Sequence, residues 1–429
     1  MKRLLLIVLM SSTLVSVLFA AGAQEEAASE GPVTIQLGIS TREVGAAMPE
    51  LLKSFEAANP NIKVEWNKVP GVPNDQHTLY VTNMMAQSEQ PDVMAVDVVW
   101  PGEFIANGWA EPLNEYFSDS DLEGYLDGMM NSVTLDGKAY GVPLYTNAIH
   151  FFYRKDLLDK YGLEKPDTWE ELIESAMFIT EKEQNPDLNG YISMWAQIEG
   201  LFMNYLQFMW GAGGQFFDTK GNPSVNTPEA VKALETMVDM IYKYNVAPES
   251  ILTYKPNDAM ALFRQGRAVF MVVQDFVWPM LNEADSPVKG KVVMDRVPYF
   301  EGHSDANTVC MGGWILTLNP YSEHKAEAAE LIRHLTSTES GIVLGTKSGC
   351  MPAVKGMEEN AELISAYPIA ETLYKDFSVG DVRPSAQAGK NYPELSHIMQ
   401  KEIHAALLQK KSPAQAMADA QKALDELLQ

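Results

Sequence analysis

The sequence predicts an α/β protein that is built as two lobes. Segments with strand-like and helix-like patterns alternate in two runs, and such alternation is typical of sheets whose strands are joined by helices. The extended segment 141–145 separates the two runs. The chain has 429 residues, which is more than one hydrophobic core usually holds, so we expect two lobes rather than one.

The first run predicts three strands and two helices. Residues 33–39 and 62–66 alternate apolar with polar or small side chains, as half-buried strands do. Residues 93–99 are mostly apolar, which favours a buried parallel strand. Residues 46–58 and 79–87 have helical spacing and lie between the strands, so the order favours right-handed crossovers.

The second run begins with an apolar segment over 148–153, predicted to be a buried strand, and a helix over 170–182. Thr168 is placed to cap this helix, whose first turn carries Glu170 and Glu171. The remaining segments repeat the alternation, with helices predicted over 201–210, 229–244, 257–264, 323–335, 392–408 and 413–428 and strands over 268–273 and 313–319.

The N-terminus has the organisation of an export signal. Two basic residues precede the apolar stretch 4–18, and Ala21-Gly22-Ala23 offers a cleavage site of small residues. We therefore expect a cleaved signal peptide over 1–23, a disordered leader over 24–32, and a periplasmic or secreted protein. No cysteine lies directly after the apolar stretch, so we expect no lipid attachment there. The alternative is a membrane anchor, for which the stretch is short.

The charge of the chain narrows the kinds of partner. A formal net charge of −25 argues against nucleic acid, whose phosphates are also negative. It suits a protein that handles neutral or cationic ligands, although charge alone does not name the ligand.

The two cysteines, Cys310 and Cys350, leave two alternatives open. In an oxidising compartment such a pair forms a disulfide, or it stays as two buried thiols. The sequence does not give the separation of the two Cα atoms that a disulfide requires.

The sequence lacks the motifs of common enzymes. It contains no Gly-x-Ser-x-Gly, no His-Glu-x-x-His, no Walker loop and no dinucleotide-binding fingerprint. Residues 185–190 faintly resemble the start of a calcium loop, but Ala196 stands where such a loop needs a bidentate Glu. We therefore predict no catalytic residue, no metal and no cofactor.

Tryptophans near predicted strand ends are the positive signal for ligand binding. Trp100, Trp278 and Trp314 each follow a predicted strand or a pair of glycines, and ligands of open α/β sheets lie beyond the carboxyl ends of strands. Sugars present apolar C–H faces and hydroxyl rims, so a site for them needs flat aromatic rings beside carboxylates, amides and arginines. The alternative is that each tryptophan belongs to the core.

A series of short motifs spans nearly the whole mature chain in a characteristic order. The motifs are Pro91-Asp92-Val93, residues 104–113, Gly141-Val142-Pro143, Tyr153-Arg154-Lys155-Asp156-Leu157, Thr168-Trp169, Gly312-Gly313-Trp314, Leu335-Thr336-Ser337, Tyr392-Pro393-Glu394-Leu395-Ser396 and Ser412-Pro413. This order resembles the family 1 extracellular solute-binding proteins of bacterial ABC importers.

The resemblance implies a type II periplasmic-binding-protein fold, similar to maltose- and trehalose-binding proteins, with a ligand cleft between the lobes. The N-terminal lobe is expected over 33–143 and 314–360, and the C-terminal lobe over 147–308 and 361–429. It further implies a protein that is not an enzyme, needs no cofactor, is a monomer, and binds a small-molecule sugar and the membrane permease subunits of an importer.

The resemblance also implies the site residues. Relatives place carboxylates on sugar hydroxyls at positions that match Glu43 and Asp97. A Tyr-x-Asp motif of relatives matches Tyr145 and Asn147, and the amide of Asn147 lacks the charge of that aspartate. The aromatic residues on which sugars stack in relatives match Trp278 and Trp314. The residue that donates a hydrogen bond to a sugar hydroxyl matches Arg383. The predicted ligand-binding set is Glu43, Asp97, Trp100, Tyr145, Asn147, Trp278, Gly313, Trp314 and Arg383.

The predicted function is capture of a mono- or oligosaccharide for an ABC importer. One alternative is a secreted glycoside hydrolase, whose two carboxylates stand about 5–9.5 Å apart. Another is the same fold binding a non-sugar solute such as a glycerol phosphate or a polyamine.

Overall fold

A central mixed sheet organises the chain in a computed structural model that describes residues 31–306 and 308–429. The predicted signal peptide over 1–23 and most of the predicted leader lie outside the described residues. Nine of the strands found in the described residues form one sheet, in which seven follow the order β2-β1-β3-β10-β6-β8-β7 while β11 pairs with β10 and β9 with β6. The fold is mixed α/β, as predicted.

The strands fall into this sheet and one small hairpin formed by β4 and β5. In chain order they are β1 (Val33–Gly38), β2 (Ile62–Asn67), β3 (Val93–Asp97), β4 (Thr134–Leu135), β5 (Lys138–Ala139), β6 (Val142–Arg154), β7 (Asn189–Ser193), β8 (Ala268–Gln274), β9 (Val292–Asp295), β10 (Cys310–Leu318) and β11 (Asp381–Val382).

Helices connect the strands and close the chain. In chain order they are α1 (Thr41–Val44), α2 (Met48–Ala58), α3 (Pro73–Met85), α4 (Pro101–Ala106), α5 (Asp119–Leu122), α6 (Asp127–Asn131), α7 (Lys155–Tyr161), α8 (Trp169–Glu183), α9 (Glu199–Gly211), α10 (Pro228–Tyr242), α11 (Pro256–Arg264), α12 (Trp278–Leu281), α13 (Lys325–Leu335), α14 (Thr338–Ser348), α15 (Ala361–Ala366), α16 (Ala370–Phe377), α17 (Ser385–Ala388), α18 (Tyr392–Leu407) and α19 (Pro413–Leu427).

The long strand β6 is the main correction to the sequence analysis. The extended segment 141–145 and the strand predicted over 148–153 are largely one buried strand of 13 residues. Its first half pairs with β10, and its second half pairs with β8 and β9. The sequence did not show this continuity, because Pro143 lacks an N–H and usually marks a strand edge.

Local capping signals place the helix starts well. Thr168 accepts from the backbone N–H of Glu171, whose carboxylate accepts from Thr168 in return, so the predicted cap of α8 is confirmed. Ser412 caps α19 by accepting from the backbone N–H of Gln415, as predicted. Helix α3 begins at Pro73, well before the predicted start at 79, because its first turn is polar and shows no apolar spacing.

None of the helices in the described part of the chain is long and apolar enough to cross a membrane.

The two cysteines are free and buried, which rules out the disulfide alternative in this structure. Burial raises the pKa of the Cys310 thiol to about 12 and that of Cys350 well above its ordinary value, so neither thiol is expected to react in the native state. Alkylation without reductant is expected to label neither cysteine in buffer and both in denaturant. Mass spectrometry counts the labels, and an unlabelled denatured chain would mean that a disulfide forms.

Candidate ligand-binding site

The register of three neighbouring strands brings predicted site residues side by side. Asp97 at the end of β3 lies opposite Trp314 of β10, and Trp314 lies opposite Tyr145 of β6. Two positions further along, Gly312 of β10 faces Asn147 of β6. The sheet therefore fixes the spacing of these side chains through backbone hydrogen bonds.

Gly313 lets the two central strands approach closely. Its φ is +156°, and a Cβ atom at this position would lie 2.5 Å from the backbone oxygen of Tyr145 and 2.7 Å from Cε of Met129. No side chain larger than hydrogen fits there without moving the backbone. The close packing of strands β6 and β10 therefore explains why residue 313 is a glycine, independently of any contact with a ligand.

Arg383 joins carboxylates from distant parts of the chain. Its Nη2 donates to Oδ1 of Asp97 at 2.6 Å, and its Nη1 donates to Oε1 of Glu199 at 3.0 Å. The residue is 2% exposed, so its guanidinium lies inside the protein and not on an exposed loop. Burial raises the pKa of Asp97, while Arg383 opposes this rise.

Glu199 is a functional candidate that sequence reasoning missed. It opens the first turn of α9, where an acidic residue is common and carries no special signal. Only the fold shows that its carboxylate faces Arg383 and accepts hydrogen bonds from Tyr392, Ser396 and Gln400 of α18.

A cavity of about 230 Å³ lies against this charged group. Asp97, Glu199 and Arg383 line it together with Trp100 and His77. The indole of Trp100 packs edge-on against Trp314, with ring centroids 5.5 Å apart. The cavity therefore combines paired charges with an aromatic wall.

Tyr145 and Asn147 are largely buried side chains whose polar atoms make no hydrogen bond to another described residue and keep some contact with solvent. They are 1% and 7% exposed. Burial, together with the nearby charge of Glu43, raises the pKa of Tyr145 well above its ordinary value, so the hydroxyl stays neutral. Because buried polar groups are normally hydrogen-bonded, both side chains are suited to bind a ligand's hydroxyls.

Glu43 lies near this group on the short helix α1. Its side chain is 4% exposed and pairs with Arg42. Burial raises the pKa of Glu43, and Arg42 counteracts it. The backbone oxygen of Glu43 also accepts from the thiol of Cys350 at 3.8 Å.

Trp278 stands apart from the other tryptophans. It is half-buried against a second hydrophobic cluster, whereas Trp100 and Trp314 are each 6% exposed within the main core. Of the two tryptophans predicted to stack on the ligand, Trp278 thus has more exposed ring surface than Trp314, and Trp314 is also part of the hydrophobic core.

The comparisons with known proteins agree with this geometry. A family model described as bacterial extracellular solute-binding protein matches residues 38–342. The chain belongs to this family.

Individual members of this solute-binding family resemble the chain over nearly its full length. A probable ABC transporter-binding protein of Deinococcus radiodurans is 28% identical over 408 residues, covering 94% of each chain. The mannitol-binding protein of Pseudomonas aeruginosa is 24% identical and covers 92% of this chain and 93% of its own. The solved structure of maltose-bound MalE3 from T. maritima is 35% identical, with a TM-score of 0.86, and covers 92% of this chain and all of its own. The solute-binding chain thus has a maltose-binding-protein-like fold.

A buried ionic network supports the binding region of this solute-binding protein. Oδ2 of Asp275 accepts from the backbone N–H of Ala148 at 2.8 Å and lies 3.6 Å from Nδ1 of His150. Nε2 of His150 contacts Asp376 at 3.1 Å, and Asp376 pairs with Arg296 at 2.6 Å. The network ties the strand after Asn147 to the turn before Trp278.

The two aspartates of this network are expected to affect stability with opposite pH dependence. Burial raises the pKa of Asp275 to about 7, and one carboxylate oxygen has no partner. Asp275 therefore stabilises the fold fully below the ordinary pKa of an aspartate, because the folded protein favours the protonated form. This contribution is lost as the pH rises to about 7. Asp275→Asn is expected to raise the melting temperature relative to wild type more at pH 8 than at pH 5.

Asp376 is the matched control. Burial opposes its ionisation, but hydrogen bonds from His150 and Arg296 hold its pKa below the ordinary value. Its contribution is present above that value and is lost as the pH falls, so Asp376→Asn is expected to lower the melting temperature at pH 8. Equal shifts for both variants at every pH would contradict the assignment.

Proposed function

We propose that the protein captures a neutral mono- or oligosaccharide, or a related polyol, and delivers it to the permease of an ABC importer. One observation carries this proposal: charged side chains that are already paired line a cavity beside an aromatic wall, next to buried polar groups without partners. Hydroxyl groups satisfy such unpaired donors and acceptors, and the C–H faces of a sugar suit the indole rings.

The charges of the site favour a neutral ligand over the two charged alternatives. A glycerol phosphate would need an arginine whose charge is free to pair with it, but the charge of Arg383 is already paired with two carboxylates, although its Nε has no hydrogen-bond partner among the described residues. A polyamine carries several positive charges and would need several free carboxylates, whereas Asp97 and Glu199 share Arg383 and keep one net negative charge between them, and Glu43 pairs with Arg42.

The same pairing disfavours the glycoside hydrolase. A hydrolase leaves room for the scissile bond between its two carboxylates. Here the guanidinium of Arg383 occupies the space between Asp97 and Glu199. The matching family is one of solute-binding proteins.

Relatives with bound or named ligands support the ligand class. Their names and titles mention mannitol, multiple sugars, maltose, α-D-tagatose and ribitol, all of them neutral and hydroxylated. Another structural relative, a UgpB from Mycobacterium tuberculosis at 18% identity, holds glycerophosphocholine, so the fold alone does not decide between the classes.

A thermal-shift screen tests the proposal. The panel contains maltose, trehalose, glucose, tagatose and mannitol, with glycerol 3-phosphate and spermidine as the charged alternatives. A ligand at about 100 times its Kd adds roughly 2.7 kcal/mol of apparent stability. Calorimetry on each hit is expected to give one site without turnover. Cleavage of the glycan, or a shift with the charged compounds alone, would overturn the proposal.

The location and partners form part of the same proposal. Members of an extracellular solute-binding family work outside the cytoplasm. We infer that the signal peptide over 1–23 is removed, and that the mature protein works as a monomer which docks on permease subunits. The N-terminus of the exported protein and its mass in solution test these two points.

Ligand binding is expected to reduce the radius of gyration in small-angle scattering. The lobes proposed over 33–143 with 314–360 and 147–308 with 361–429 would close on the ligand by hinge motion, which is usual for periplasmic binding proteins. Because β6 runs through both halves of the sheet, the bending is expected at strand ends rather than in a loose linker. An unchanged radius at saturating ligand would contradict closure.

A further inference from the structure

The contacts of Glu199 suggest a role that its position at the start of a helix does not reveal. Its side chain is 20% exposed and lines the cavity, whereas the side chain of Arg383 is 2% exposed. An arginine in a cleft normally offers a planar fork that binds phosphate or carboxylate through two parallel hydrogen bonds. In this protein Asp97 and Glu199 each take one terminal nitrogen of that fork.

Helix α18 holds the Glu199 carboxylate in place from the other side. Tyr392 donates to Oε1, and Ser396 donates to Oε2. Gln400 donates to Oε2 at 3.3 Å and also to Ser396 at 2.9 Å. Three side chains on one face of the helix thus hold the carboxylate beside Arg383, so moving it away would break several hydrogen bonds.

We propose that Glu199 determines which ligand charge the site accepts: Asp97 and Glu199 share the single positive charge of Arg383, so the second carboxylate leaves a net negative charge on the cavity wall, which excludes phosphorylated and other anionic ligands. This inference rests on the proposed function, in which the ligand is a neutral sugar or polyol. Specificity of this kind comes from a repulsive element as much as from an attractive one. The repulsion is effective because charges near a partly buried wall are screened less than in water.

The test compares a neutral ligand with its own phosphate ester. The pairs are maltose with maltose 1-phosphate, glucose with glucose 6-phosphate, and mannitol with mannitol 1-phosphate, according to which neutral compound wild type binds. Wild type is expected to bind the neutral member at least 100-fold more tightly. Glu199→Gln keeps the shape but removes the charge, so it is expected to shift the ratio of the two Kd values at least tenfold towards the phosphate.

Two further variants separate charge from geometry. Glu394→Gln removes an exposed carboxylate from the same helix α18, and the ratio is expected to stay at the wild-type value. Ser396→Ala loosens Glu199 but keeps its charge, so it is expected to weaken neutral binding without a gain for the phosphate. A ratio that is unchanged in Glu199→Gln, or changed equally in Glu394→Gln, would overturn the inference.

Wild type alone provides a second measurement if Glu199→Gln does not fold. The second pKa of a phosphate ester is about 6, so discrimination is expected to be larger at pH 8, where the ester is a dianion, than at pH 5. If wild type binds a neutral sugar and its phosphate ester equally well, the proposed role of Glu199 is overturned, but the proposal that the ligand is a sugar or polyol stands. If wild type binds none of the neutral compounds, the proposed function fails and the inference fails with it.

Discussion

Replacing Arg383 with alanine is expected to lower the free energy of unfolding by about 3–5 kcal/mol, because the change leaves the buried carboxylate of Asp97 and the partly buried carboxylate of Glu199 without their cation. Asp97 and Glu199 would then face each other across an empty space. Burial already raises the pKa of Asp97, and loss of Arg383 would raise it further. Denaturant unfolding of the free protein measures this effect.

The same variant is expected to weaken ligand binding by about 10- to 150-fold, because Asp97 and Glu199 on the cavity wall lose the charge-assisted hydrogen bonds that position them, and such a bond contributes roughly 1.5–3 kcal/mol. Calorimetry with the best ligand of the panel measures this loss, in protein shown by circular dichroism to be folded.

Arg264 provides a matched control for the stability effect. It also contacts two carboxylates, Glu283 and Asp285, but all three side chains are solvent-exposed to a substantial degree. Exposed ion pairs contribute about 0–1 kcal/mol, so Arg264→Ala is expected to change stability and binding little. Similar losses of stability in Arg383→Ala and Arg264→Ala would show that burial does not make the ion pairs of Arg383 more important for stability than exposed ion pairs.

Trp314→Ala is expected to lower the free energy of unfolding by about 3–5 kcal/mol and also to weaken ligand binding. The ring is 6% exposed and packs edge-on against Trp100, so its removal leaves a cavity in the core. It also removes the support of the Trp100 ring, which lines the cavity beside Asp97.

Trp278→Ala is the informative comparison. This ring is half-buried, so the loss of stability is expected to be smaller than for Trp314→Ala. If it stacks on the ligand, by analogy with base stacking worth about 1–3 kcal/mol, affinity falls about 5- to 150-fold. Denaturant melts beside calorimetry separate the two tryptophans, and unchanged affinity in Trp278→Ala would remove it from the binding site.

The sequence alone determined the features that depend on neighbouring residues. Alternating apolar positions placed β1 and β2, and the Thr168 and Ser412 caps placed the starts of α8 and α19. These signals are local because strand and helix periods repeat within a few residues. The family was also predicted from the order of short motifs, and the match over 38–342 confirms it.

Only the tertiary structure decided how the site is assembled. Arg383 lies 286 positions from Asp97 and 184 from Glu199, so no spacing in the sequence could reveal that one guanidinium joins both carboxylates. The same holds for the Asp376 contact with His150, which spans 226 positions. Burial and pairing depend on the path of the chain through the sheet, whereas helix and strand patterns depend on covalent neighbours, and this is why the sequence named Asp97 and Arg383 separately and missed Glu199.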